Sequence, residues 1–189
     1  LDDRSIITMH LDVERDAWVE YVYTIYNTGD ASRDYLVDFT INQHNVAPLL
    51  RDDAMVLNWS NRSNQNERSF QNEGIATTII YYSDDDIEEL DSTGERESVE
   101  ALDWVAFKQQ YFSSAFIAEN TIDASLSFKS AKNESVGFVK EFDATINVPY
   151  TEGINNYNFA FYYGPNDYRI MKHVEFMGKK TNLQEIIPM

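Results

Sequence analysis

An alternation of apolar and polar side chains runs through most of this chain and constrains its fold more than any other feature. Tyr35, Val37, Phe39 and Ile41 share one parity while Asp38, Thr40 and Asn42 take the other, the pattern of a strand with one face buried. Ala124, Leu126 and Phe128 alternate with Ser125, Ser127 and Lys129. Ala144, Ile146, Val148 and Tyr150 alternate with Thr145 and Asn147, and Tyr157, Phe159, Phe161 and Tyr163 with Asn156 and Asn158. Each predicts an antiparallel strand with one wet face. Ser5–Val13, Trp18–Tyr26, Ala54–Trp59 and Ile75–Tyr82 are rich in β-branched and aromatic residues and are separated by polar turns such as Asn27-Thr-Gly-Asp30. About ten strands in one chain predict an all-β sandwich.

The pattern breaks near the C-terminus. After Gly164-Pro165 the apolar spacing predicts a helix from about Asn166 to Phe176, with Pro165 suited to a first turn. A shorter second helix over 182–189 would bring Leu183, Ile186 and Ile187 onto one face, so a C-terminal helical segment is expected over about 165–187. The expected loops are Ser60–Gly74 and Ser83–Val99, the latter with a Ser92-Thr-Gly94 turn. With no internal repeat and no long Pro- or Ser-rich linker, one domain over 1–189 is the simplest organisation.

Composition excludes several function classes. The 189 residues carry 15 basic and 32 acidic side chains, a net charge of −17, so the long-range field repels phosphate backbones and anionic lipid. Nucleic acid is not expected as a partner. The chain has no cysteine, which removes disulfides and thiolate chemistry. No run approaches the roughly 20 apolar residues that span a bilayer. A start at Leu1, without a basic-then-apolar leader, predicts a domain whose anchoring segment lies elsewhere.

No residue pattern points to a reaction. Asp84, Asp85, Asp86, Glu88 and Glu89 offer oxygen ligands but lack the spacing of a calcium loop, so a solvated acidic turn is expected. His10, His44 and His173 sit in no His-Glu-x-x-His or nucleophile-elbow context. Catalytic, cofactor and metal residues are therefore expected to be absent. Trp18, Trp59, Trp104, Tyr111, Tyr162 and Tyr163 are candidates either for a cleft that takes sugar or peptide or for the sandwich core. Three glycosylation sequons, at Asn58, Asn61 and Asn133, are weak signals in an Asn-rich chain.

Two strings carry a family resemblance. Trp104-Val-Ala-Phe-Lys-Gln-Gln-Tyr-Phe112, followed by Gly164-Pro-Asn-Asp-Tyr168, resembles the large periplasmic domain of the YidC family of bacterial membrane protein insertases. The likeness runs in register from the strand around Trp18–Tyr26 to Leu183-Gln-Glu-Ile-Ile-Pro188, nearly the whole chain.

That resemblance implies a β-supersandwich of the galactose-mutarotase type, closed by one or two short C-terminal helices near the membrane. It implies a non-catalytic domain at the periplasmic face of the bacterial inner membrane, assisting insertion and folding of inner-membrane proteins. The implied partners are the Sec translocon (SecDF, SecYEG), inserting membrane proteins and the transmembrane insertase core. The family's substrate groove lies among transmembrane helices, so none of its residues carries onto this chain. Leu183, Ile186 and Ile187 are the candidate interaction surface, for docking onto the domain itself or onto the insertase core. A carbohydrate-binding or carbohydrate-active sandwich is the alternative, because fold alone does not decide function, and an aldose epimerase would need a convergent His and Glu in the cleft.

Overall fold

The computed structural model describes residues 3–49, 54–90, 96–150 and 155–187. In chain order the main strands are β1 (Arg4–Glu14), β2 (Ala17–Tyr26), β3 (Leu36–His44), β4 (Ala54–Asn64), β5 (Thr78–Ser83), β6 (Asp86–Glu89), β7 (Glu97–Lys108), β8 (Phe112–Ser130), β9 (Phe138–Pro149) and β10 (Asn156–Pro165). Three short helices accompany them: α1 (Ala31–Asp34), α2 (Phe70–Ala76) and α3 (Tyr168–Met171). The fold is an all-β antiparallel sandwich, as the alternation predicts.

Its two layers are joined through two strands. One layer runs β1-β2-β3-β10-β8-β7-β5-β6, and β9 and β4 continue from β8 as the second. The first half of β8 pairs with β10 and with Trp104–Lys108 of β7. Its second half pairs with β9 and with Glu97–Leu102. Between the halves the register jumps: Leu102 faces Ile122, yet Trp104 faces Ile117. Ala101, at φ 51°, lies in the matching irregularity of β7. Such bulges bend a strand and strengthen its twist, which lets the two strands pass from one layer into the other.

The main core fills the space between the layers. Phe39, Ile41, Val105, Phe107, Phe116 and Phe159 from the wide layer meet Leu126, Phe142, Ala144, Ile146 and Val148 from the narrow one. A second core covers the opposite face of the wide layer, where Leu36, Ile80, Trp104, Ala106, Ala115, Ile117, Ala160 and Tyr162 pack under Met171, Val174, Phe176, Leu183 and Ile186. The expected wet face is therefore absent from the central strands. Their sequences show why: Ile79-Ile-Tyr-Tyr82, Trp104-Val-Ala-Phe107 and Phe159-Ala-Phe-Tyr162 are apolar at both parities because both faces are covered.

The C-terminal segment departs from the helical expectation. α3 is one turn, and the chain then forms a two-residue ladder, β11 (Glu175–Phe176) with β12 (Lys179–Lys180). Met177 and Gly178, at φ 50° and 76°, supply the paired positive φ values of a tight hairpin turn. Val174 and Phe176 are buried with Glu175 exposed between them, a period of two that the helical reading absorbed. Leu183–Ile186 is a 3-10 turn; the last residues of the second expected helix, Pro188 and Met189, lie outside the described residues.

Two expected loops are also partly ordered. β4 extends to Asn64, and α2 replaces both the end of the Ser60–Gly74 loop and the start of the Ile75–Tyr82 strand. Ser69 caps α2 by accepting from Asn72 N at 3.2 Å. The buried Glu73 carboxylate accepts from Asn66 N at 2.9 and 3.0 Å and from Glu67 N at 3.0 Å. In the second loop Asp84 and Asp85, at φ 52° and 61°, form the turn from β5 to β6, while the Ser92-Thr-Gly94 turn lies outside the described residues.

Candidate functional site: an aromatic cleft between layers of unequal width

Nothing among the described residues lies over β1 and β2 as a continuation of the second layer, because β4 pairs only with β9 there. The inner face of the wide layer continues past β4 all the same. Tyr21 and Tyr23 stand on the same face as Ile41 and Phe39, their partners in the β2–β3 register, and Met9 and Ile7 follow on β1. The result is a cleft of about 290 Å³ between the face of β2 and the edge of β4.

Aromatic stacking builds its walls. Trp59 of β4 stacks on Phe107 at 4.0 Å between ring centroids and meets Phe161 edge-on at 5.7 Å. Tyr23 stacks on Phe39 at 4.7 Å, and Phe39 leans on Phe161 at 5.8 Å. Leu57, Phe116 and Ile146 close the floor, and no lining side chain carries a charge. Burial pushes the Tyr23 hydroxyl above its ordinary range, with a smaller contribution from Tyr21. A surface of this kind is suited to an apolar ligand, and its only titratable side chains are the phenols of Tyr21 and Tyr23.

A second cleft, about 490 Å³, opens where β8 changes layers and is lined by Glu119, Asn120, Asn155, Asn156 and Asn158 among others. Asn158 Nδ2 donates to Glu119 at 2.9 Å. None of the three histidines lines either cleft. His10 and His44 flank Trp18, with ring centroids 5.3 and 5.4 Å away, and His173 follows α3. The His–carboxylate pair that an epimerase needs is not brought together in these clefts. Among the described residues no group of three or more His, Cys, Asp or Glu is placed to hold a metal ion, the acidic turn Asp84–Glu89 included.

The other candidate residues are dispersed. Trp104 and Tyr162 belong to the second core, Tyr111 and Tyr163 are exposed, and of the aromatics singled out from sequence only Trp59 enters the cleft. Leu183 and Ile186 have zero exposure in the domain's own second core, with Ile187 packed against it; of the two dockings expected for this segment, the one onto the domain itself is what the fold contains. Sequence reasoning places Phe161 on an apolar strand face and does not single out Met9, Tyr21 or Tyr23, although β1 carries a signal: its exposed Ile6, Ile7, Met9, Leu11 and Val13 are more apolar than an edge strand in water requires.

The two strings that carry the resemblance meet in space. Gln109-Gln-Tyr111 is the turn between β7 and β8, not part of a strand. Asn166 spans it: its backbone N donates to Tyr111 O at 2.8 Å, its Nδ2 to Gln109 O at 2.8 Å, and its Oδ1 accepts from Ser113 Oγ at 2.7 Å. Gln109 Nε2 donates in turn to the buried Ser63 Oγ at 2.6 Å, tying the end of β4 to the same junction. Gly164 is required beside it, since a Cβ there would stand 2.6 Å from the Tyr162 ring and 2.9 Å from Tyr35.

Comparison with known proteins agrees with this architecture. The family described as YidC periplasmic domain matches residues 1–187. The membrane protein insertase YidC of Azobacteroides pseudotrichonymphae is 30% identical over 94% of this chain and 28% of its own length. Those of Bacteroides fragilis and Cytophaga hutchinsonii are 28% and 25% identical over 88% and 96% of this chain. The chain spans less than a third of these relatives, 28%, 27% and 31% in turn. On the match across residues 1–187, the chain belongs to the YidC periplasmic domain family.

Proposed function

We propose that this domain is a non-catalytic, periplasmic part of a membrane protein insertase, and that it assists insertion and folding by holding apolar stretches of inserting proteins in the cleft beside β4. It works at the periplasmic face of the bacterial inner membrane, in contact with Sec translocon components (SecDF, SecYEG) and with its own transmembrane core. The observation that carries this reading is the uncharged, aromatic lining of the cleft in a chain of net charge −17. An exposed apolar surface of this kind marks a binding site more often than a structural accident. The relatives' name, membrane protein insertase, supplies the class of client.

Site-specific photocrosslinking in cells tests it, with probes at Tyr23 and Trp59 in the full-length protein. Crosslinks to inserting membrane proteins or to Sec subunits are expected. A folded, active protein with no such crosslinks would overturn the reading. The Asn-rich cleft at the β8 bend is the feature that favours the carbohydrate alternative, and titration with hexoses, followed at Asn156 and Asn158, tests that reading.

A further inference from the structure

Among the described residues, the three edge strands of the ten-stranded sheet are built differently. β6, the last strand of the wide layer, is four residues long and reads Asp-Ile-Glu-Glu, a short charged edge of the kind that discourages pairing. β1, at the other end, carries Arg4, His10, Asp12 and Glu14. β4 has none of these devices. It runs for 11 residues, Ala54–Asn64, without proline, lysine or an acidic residue, and its single charge, Arg62, lies near the end. Its pairing with β9 is regular up to the shift at Ser63/Asn64. An edge this long and this neutral is a template for another strand.

We infer that the free edge of β4 accepts a guest strand: an extended, uncharged, apolar segment of an inserting polypeptide hydrogen-bonds its main chain to β4 and lays alternate side chains on Tyr21, Tyr23 and Met9. This inference rests on the proposed client-holding role and adds to it the mode of binding. The spacing fits, because a strand beside β4 sits about 4.8 Å away within the narrow layer and about 10 Å above the wide one. The guest then continues the second layer over the part of β2 and β1 that β4 leaves uncovered. Charge selects the occupant: no cleft residue is ionised, so a buried charge on the guest finds no partner and is rejected. A segment bound for a bilayer core meets that requirement.

The test uses full-length protein in nanodiscs and a fluorescent ten-residue peptide of alternating valine and threonine, read by anisotropy. Two further peptides carry N-methyl groups on alternate residues, one set on each main-chain edge. Strand addition predicts about a tenfold loss of affinity for one methylated peptide, the equivalent of one or two lost hydrogen bonds, and less than a twofold change for the other. Equal effects of the two sets, with binding still weakened by Tyr21→Lys, would overturn strand addition and leave the cleft reading standing. Absence of binding by any peptide would overturn both. A concentration-dependent dimer that the peptide dissociates would show a second copy of the chain to be the occupant, and would likewise overturn the inference.

Discussion

The indole Nε1 of Trp104 donates a 2.7 Å hydrogen bond to the carbonyl of Thr181, 77 residues further along the chain. Thr181 in turn gives its backbone N and its Oγ1 to the carbonyl of Val174, at 3.2 and 3.0 Å, and its Oγ1 accepts from Leu183 N at 3.3 Å. One indole in a central strand thus fixes a segment that brings Met171, Val174, Phe176, Leu183 and Ile186 onto the sheet. Burial of such side chains is worth roughly 1.5–3 kcal/mol each.

Trp104→Phe keeps most of the apolar volume but leaves the buried Thr181 carbonyl without its donor. A loss of about 1–3 kcal/mol is expected in urea denaturation. Limited proteolysis should show cleavage within 172–187 well before the sandwich opens. Unchanged stability and an intact C-terminal segment would contradict the assigned role.

Glu73→Ala removes the carboxylate that accepts from Asn66 N and Glu67 N and is expected to cost about 2–3 kcal/mol. Glu73→Gln, which keeps one acceptor oxygen, should lose less than half of that. Thermal denaturation of the pair distinguishes a cap for the β4–α2 connection from simple space-filling, for which the isosteric Gln variant would lose nothing.

His10 places Nδ1 at 3.2 Å from Glu20 and Nε2 at 3.1 Å from Asp12. Both acceptors favour the imidazolium, and the pKa is raised from 6.5 by the Glu20 bond first and the Asp12 bond second. A folded value above the unfolded one contributes stability that is fully present below pH 6.5 and fades as pH rises through the folded value. NMR titration should find the His10 midpoint above 6.5. In His10→Gln this component of the pH dependence should vanish.

Lys140 points into one end of the sandwich with 8% exposure, its Nζ 4.4 Å from the centroid of the Phe128 ring. Burial lowers its pKa, opposed by Glu89, so the charged form is held at a cost at neutral pH. Stability is expected to rise as pH climbs through the depressed folded value towards 10.5. Lys140→Met should gain about 1 kcal/mol and raise Tm by roughly 2–4 °C. A lower Tm would show that the ammonium contributes more through Phe128 than burial takes away.

Much of this architecture was legible in the sequence, and the exceptions have physical causes. Strands with one covered face, such as β3 with Phe39 and Ile41 inward, announce themselves by period. Strands covered on both faces lose that period, and only the place of the C-terminal segment explains Ala160 and Tyr162. Val174, Phe176 and Met177 satisfy helical and extended spacing alike, and the choice fell to the positive φ at Met177 and Gly178. The cleft was legible least of all. Its lining comes from β1, β2, β3, β4, β8, β9 and β10, and it exists because one layer is wider than the other, a property of topology that no local pattern of residues encodes.

The passage of β8 from one layer to the other sets a mechanical limit. Residues Phe112–Ser130 are one unbroken strand, ladder-bonded to β10 in one half and to β9 in the other. The two walls of the cleft thus hang from a common beam, and spreading them would shear rows of main-chain bonds at once. A cleft built this way keeps one gauge. On the proposed client-holding role, the rate of capture would follow how often a segment arrives already extended, and the partner would bear the cost of ordering.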